Sequence, residues 1–192
     1  YNMDKYLKLY DNIKYKDRYS FEGRVKIYKN NDIVVDKNNK IVLTGRNYIM
    51  QRLFDLPYSD TNAKNEWVPR WFSVGNGAAT IDAPFQPTWP TDNDAELYNI
   101  LPFNDLGGPL YNPTKNKKLI DSISYSAYLT AKFSMTIDYN DCIDTYINEA
   151  GLYAAPSEDH NEINFVMLSH VTFPSIPKSN MDKIIIEWFF VF

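Results

Sequence analysis

The segment SYSAYLTAKFSMTIDY, residues 124–139, alternates without a break between two kinds of side chain. Tyr125, Ala127, Leu129, Ala131, Phe133, Met135, Ile137 and Tyr139 fall on one parity, and Ser, Thr, Lys, Asp and one Tyr fall on the other. A period of two is the signature of a half-buried β-strand and is incompatible with a helix, whose apolar stripe repeats every three to four residues. Ordinary strands run about five to six residues, so this one is expected to be bent, bulged or split between two sheets. The closing segment KIIIEWFFVF is a second strand of different character. Ile184, Ile186, Trp188, Phe190 and Phe192 share one face and are expected to be buried. The other face carries Ile185, Phe189 and Val191, with Glu187 alone among them. Apolar residues on both faces predict a strand covered on both sides, the second side by a short helix, by a Pro-rich excursion or by another chain.

The remaining segments complete a strand-dominated chain. FEGRVKIY and DIVVD are β-branched runs separated by Lys29, Asn30 and Asn31, as in a hairpin, and KNNKIVL repeats the turn-then-strand pattern. WVPRWFSVGNG reads as a strand ending in a glycine turn at Gly75 and Gly77, TYINEAGLYAA as another, and INFVMLSHVTF as a third that Pro174 and Pro177 are expected to end. One helix is predicted from Thr44, a good capping residue; Tyr48, Ile49, Arg52, Leu53 and Leu56 then fall at helical spacing before Pro57. Residues 81–120 hold Pro84, Pro87, Pro90, Pro102, Pro109 and Pro113, which exclude a regular helix. Within them DLGGPLYNPTKNKK, with its paired glycines and lysines, reads as an exposed excursion. The expected architecture is an all-β antiparallel sandwich with one short α-helix and a long Pro-rich insertion at about 81–120. Residues 1–20 form an N-terminal arm, and 21–192 a single domain.

Composition narrows the function. The chain holds 15 Tyr, 11 Phe and 4 Trp, more large rings than one core needs, and such rings are favoured at protein interfaces. Assembly contacts are therefore expected from Tyr6 and Tyr10 in the arm, from Phe85, Trp89, Tyr98, Phe103 and Tyr111 in the insertion, and from the last strand. A formal net charge of −4 supplies no field for a phosphate backbone, so nucleic acid is not an expected partner. Cys142 stands alone, no Cys/His spacing suits zinc, and no stretch approaches the ~18 apolar residues that span a bilayer. No cofactor is expected.

Individual motifs point to structure more than to chemistry. Gly75–Gly77 lacks the spacing and following helix of a phosphate loop. The run Asp92, Asp94, Glu96 supplies the oxygens that Ca²⁺ prefers but not the calcium-loop pattern. His160 and His170 have no nucleophile motif nearby, and His170 reads as a packed or interface residue. Cys142 sits between carboxylates that would raise its pKa. Glu149, set among Ile147, Ala150, Leu152 and Tyr153, is costly to bury alone. It is expected to pair with Arg46 or Arg52 and clamp helix to sheet, or else to face solvent.

Several of these pieces stand in a recognisable order. TGRNYIMQRLF, WFSVGNGAATIDAP, the acidic DNDAEL, the long alternating strand, INEAGLY and LSHVTFPSIPKSNMDKIIIEWFFVF together resemble a structural domain of tailed-bacteriophage virion proteins. The likeness runs over roughly 38–192. It implies a non-enzymatic, all-β component of the tail, baseplate, neck or fibre-attachment region, located in the virion and made in the host cytoplasm. Its implied partners are sister copies in a ring or symmetric array and other virion proteins. The wide Pro/Asn-rich stretch and the first forty or so residues depart from that pattern. The rival expectation is a carbohydrate-binding sandwich in which Trp67, Trp71, Trp89 and Tyr98 stack on sugars; a glycoside hydrolase is a third.

Overall fold

A computed structural model describes residues 22–54, 67–78, 87–103, 110–112, 115–126, 130–159 and 161–191, the side chains of Glu22, residues 50–54 and Ser126 excepted. The assembly candidates Tyr6, Tyr10 and Phe85, the whole arm 1–20, the terminal Phe192, His160 and the Arg52 side chain lie outside the described residues.

The strands are β1 (Glu22–Lys29), β2 (Asp32–Asn38), β3 (Lys40–Ile41), β4 (Val68–Gly75), β5 (Tyr111–Asn112), β6 (Lys117–Leu119), β7 (Ser122–Ser126), β8 (Thr130–Ile137), β9 (Thr145–Ala155), β10 (Val166–Lys178) and β11 (Ile184–Val191). The single helix among the described residues, α1 (Leu43–Phe54), follows β3 directly. Two antiparallel sheets pack face to face: β2-β1-β11-β8-β7, and β3-β10-β9-β4-β6-β5. Over the described residues the protein is thus an all-β sandwich with one short helix. The β1–β2 hairpin turns on Asn30 and Asn31, both at positive φ (50° and 76°), which asparagine tolerates better than most residues.

Between the sheets lies one continuous core. Val25, Ile27, Phe133, Met135, Ile137, Ile186, Trp188 and Phe190 come from the first sheet, and Phe72, Val74, Ala150, Leu152, Val171 and Phe173 from the second. Ile184, Ile186, Trp188 and Phe190 are all buried in it. A second, smaller cluster of Val42, Trp71, Leu97, Tyr153, Ala155 and Met167 includes outward-facing residues of the second sheet.

The structure differs from the sequence-based expectation at four points. The alternating run is split, but within one sheet: β7 and β8 are antiparallel neighbours, Ile123 opposite Phe133 and Tyr125 opposite Ala131. Ala131, Phe133, Met135 and Ile137 are buried, whereas Tyr125 is 79% exposed and Tyr139 51%. Pro174 and Pro177 do not end β10. Its pairing with β9 is irregular between Thr172 and Ile176, and β3 pairs only with Ser169 and His170, so the proline stretch lies on an open edge where a missing N–H is tolerated. The Pro-rich stretch is not wholly an excursion. It contributes β5 and β6 to the second sheet, and Lys117 and Lys118, expected at the surface, are 1% exposed. Finally, the doubly covered strands are β9 and β10, not β11: α1 packs on β10, while Ile185, Glu187 and Phe189 of β11 are half-buried beneath Lys26, Tyr28 and Lys132.

Candidate functional site: an acidic strap on the second sheet

Beyond the glycine turn of β4, the described chain returns at 87–103 and crosses the outer face of the second sheet. It is held near its far end by backbone bonds from Asn76 N to Asn99 O (3.0 Å) and from Leu101 N to Val74 O (2.9 Å), and by a bridge between Gly75 and Ile100. Beneath it, on β9, Glu149 lies between Gly75 of β4 and Thr172 of β10 and is fully buried. Its Oε1 accepts from the N–H groups of Gly77 and Asn99, both at 2.9 Å, and its Oε2 accepts from Tyr98 N–H at 3.0 Å. The carboxylate thereby stitches the turn and the returning strap to the central strand. Glycine is required at the turn for this reason: a Cβ on Gly75 would stand 2.5 Å from both Glu149 Oε1 and the Asn99 carbonyl. Next to it, Asn148 Oδ1 accepts from Ala78 N–H at 2.9 Å and its Nδ2 donates to the Asn76 carbonyl at 3.2 Å.

The imidazole of His170, also fully buried, spans the remaining gap. Nε2 lies 3.1 Å from Glu149 Oε2 and Nδ1 lies 2.7 Å from Asp94 Oδ2. Both ring nitrogens can donate only when the ring is cationic, and the negative charge that two carboxylates leave beside one ring is met by the backbone N–H groups on Glu149 and by Thr91 on Asp94. Asp94 also takes hydrogen bonds from Thr91 N (3.0 Å) and from the Thr91 hydroxyl. Tyr98 caps the group, its ring edge-on to the imidazole at 5.0 Å and its hydroxyl donating to the Trp89 carbonyl at 3.1 Å. Burial pushes the pKa values of Glu149 and Asp94 upward, yet the hydrogen bonds outweigh it and hold both carboxyls below their ordinary values. Burial, followed by the nearby Asp94 charge, pushes the Tyr98 phenol up to about 12.

The neighbouring acids of the strap do not converge on a common point, as a cation site would need. Asp92 pairs with Lys40 (2.8 Å) and Arg46 (2.9 Å), Asp94 with His170, and Glu96 with Lys117 (2.9 Å) and the Tyr153 hydroxyl. The Lys117 ammonium also lies 3.6 Å above the Tyr153 ring and 5.1 Å from that of Phe165. Lys118, next in sequence, points the opposite way into the sandwich. There it meets the buried Asp141 (2.9 Å), Asp138 (2.8 Å) and the Thr136 carbonyl (2.8 Å).

The clamp expected between Glu149 and Arg46 is therefore corrected: Arg46 engages Asp92, and Glu149 engages His170 and three backbone N–H groups. His170 was the partner that sequence reasoning missed. A signal existed, since INEAGLY and LSHVTF form adjacent strands and each carries one ionisable residue in an otherwise apolar run. Phe103 and Tyr111 are also displaced from the expected interface set. Phe103 is 8% exposed and packs on Phe72 (5.4 Å), and Tyr111 is half-buried against Phe103 with its hydroxyl donating to Asp141. Of the other candidates, Trp89 is 73% exposed and Tyr98 39%. Trp71, a candidate sugar platform, is fully buried with its indole N–H donating to the Ser157 carbonyl. Cys142 is a poor nucleophile, its thiol pushed up to about 12 first by burial and then by Asp141.

Chemically the strap is a latch. Both imidazole nitrogens and both Glu149 oxygens are spent on holding chain segments together, beneath a tyrosine lid. Comparison of the chain with family models, with curated proteins and with solved structures found no match.

Proposed function

We propose that this chain is a non-enzymatic structural component of a tailed-bacteriophage virion, assembling with copies of itself and with other virion proteins in the tail, baseplate, neck or fibre-attachment region. The motif order described above motivates the virion context. The observation that supports assembly is the disposition of the rings: Trp89, Tyr125 and Tyr146 are 73%, 79% and 58% exposed, while the ionisable groups buried under the strap and around Lys118 are consumed by internal contacts. Large exposed aromatics on a rigid scaffold are the anchors that interfaces use. Electron microscopy of the intact particle tests the reading. Density for the sandwich, with its strap and exposed rings against neighbouring subunits, is the expected result; a particle lacking the chain overturns it.

A second reading is favoured by one groove. Trp89 and Pro90 face Lys37, Asn39 and Thr172 across it, with the Lys37 ammonium 4.6 Å from the indole ring centroid. Asn39 Oδ1 and Thr172 Oγ1 in its lining are buried without a hydrogen-bond partner among the described residues. An exposed indole beside unspent polar atoms suits a saccharide. Loss of binding to a glycan array on Trp89→Ala would support it, and absence of binding by the unaltered chain would remove it.

A further inference from the structure

Each sheet of an open sandwich has two edges, and an edge strand presents unpaired backbone groups that can template pairing with another chain unless the sequence guards it. Among the described residues there are four such edges, and three of them are guarded. β3 and β5 are two residues each, too short to template a partner. β2 carries Asp32, Asp36 and Lys37, its Asp36 holds Arg24 at 2.6 Å, and its pairing with β1 is irregular at Ile27/Tyr28. The fourth edge, β7, has the sequence SISYS: no charge, no proline and a regular register with β8.

The side chains of β7 add a second anomaly. Ile123 and Tyr125 stand opposite Phe133 and Ala131, which are buried core residues, so they belong to the inward face of the sheet. They are nevertheless 42% and 79% exposed. Ile123 borders a groove whose far side is Val68, Pro69 and Leu119 of the second sheet, and Leu110 in the same groove is 51% exposed. The opposite face of β7 carries only serine, in line with Lys132 and Ser134 on the outer side of β8. Among the described residues, an inward apolar face left largely exposed and an edge without a guard coincide on one strand.

We propose that β7 is the surface through which two copies of this chain associate, by antiparallel pairing of β7 with the partner's β7 about a two-fold axis at Ser124. The chemistry is self-complementary. In that register Ser122 faces the partner's Ser126, and Ile123 faces the partner's Tyr125, twice by symmetry, an aromatic–β-branched pair of the kind that stabilises sheets. The two five-stranded sheets become one continuous sheet, and both uncovered pairs are covered. Pairing of β7 with the β2 edge of another copy would instead bring neutral SISYS against a charged and irregular strand. This contact deepens the assembly reading and rests on it for the premise that copies meet.

Sedimentation velocity of the full chain over a concentration series tests the proposal, with circular dichroism confirming the fold of each variant. Tyr125 and Ile123 are exposed enough in one copy for charged replacements to be accommodated. Tyr125→Lys alone and Ile123→Glu alone are each expected to raise the dimer dissociation constant about tenfold or more, because each is felt at two symmetric places. Combining them is expected to restore most of the association, since the lysine of each copy then faces the glutamate of the other. A dimer indifferent to Tyr125→Lys overturns the β7 contact while leaving self-assembly standing, and failure of the double variant to recover overturns the two-fold register. An unaltered chain that stays monomeric overturns both the contact and self-association. Location of the chain in the particle is decided separately by microscopy.

Discussion

The two outer faces of the sandwich both carry charged residues and use them in opposite ways. On the first sheet, Glu187 accepts from Lys132 (2.9 Å) and Tyr28 (3.1 Å), and Lys26 lies along Phe189, all of them partly wet. On the second sheet, Glu149, His170 and Lys117 are sealed beneath the strap, and their partners come from segments distant in sequence. The wet face decorates a sheet that its own core already holds. The sealed face uses charge to attach irregular chain: Leu97 and Phe103 of residues 87–103 dock into the two apolar clusters, and the buried charges tie down the backbone and polar side chains around them. Burying a carboxylate is tolerable only where several donors meet it, and Glu149 has four.

This contrast is broken or sharpened first by matched carboxylate changes. Glu149→Gln keeps the shape but turns an amide toward N–H donors that need an acceptor, and is expected to cost about 3 kcal/mol of unfolding free energy. Glu187→Gln, the same change on the wet face, should cost less than about 1 kcal/mol. Urea unfolding of both variants measures the difference, and equal losses would erase the distinction between the faces. Proteolysis of Glu149→Gln should begin within the strap, at an unchanged rate elsewhere.

A pair of adjacent lysines extends the test to the two sides of one strand. Lys118→Met leaves Asp141, 2% exposed, without its ammonium and is expected to destabilise by about 3 kcal/mol. Lys117→Met leaves Glu96, 44% exposed, which water can solvate, so a loss of about 1 kcal/mol or less is expected. Thermal unfolding monitored by calorimetry distinguishes them. A larger effect at Lys117 would mean that its contact with the Tyr153 and Phe165 rings outweighs the ion pair.

How much of this was legible in the sequence follows from the range of each signal. Alternation in 130–137 and in β11 is local, and it located both strands and the core face. TYINEAGLYAA coincides with β9 from end to end. The strap was read only as part of a Pro-rich insertion because proline and asparagine describe irregular backbone, and nothing local says what such backbone rests on. Glu149 was singled out correctly as a carboxylate in need of donors, but three of its four donors are backbone N–H groups, which every residue has and no composition reveals. The exposure of Tyr125 was likewise hidden: its parity is that of the core, and only the reach of the opposite sheet decides whether a cover exists.

Acid titration acts on the sealed face more than on the wet one. Glu149 and Asp94 are held below their ordinary values of 4.5 and 3.8, so in the folded state they release protons more readily than when unfolded. Their contribution is complete above those ordinary values and is lost as pH falls through the lower, folded ones. Stability should therefore decline below about pH 4.5, and the slope of that decline should be shallower in Glu149→Gln. An unchanged slope would assign the acid limb to carboxylates outside the strap.

The smallest expected effect concerns the exposed end of the strap. Asp92 meets Lys40 and Arg46 with all three side chains 43–48% exposed, so these pairs are screened and their ordering cost offsets most of their attraction. Arg46→Met should cost less than about 0.5 kcal/mol, and its effect should add to that of Glu149→Gln within about 0.5 kcal/mol, because the two residues share no partner. A double-mutant cycle in urea measures the coupling. Additivity means that the strap is pinned at its buried centre while its charged rim contributes little. A coupling of about 1 kcal/mol or more would mean that rim and centre open as one unit, in which case the exposed ion pairs work as part of the seal and the line between sealed and wet charge runs along the strap's outer margin instead of beneath it.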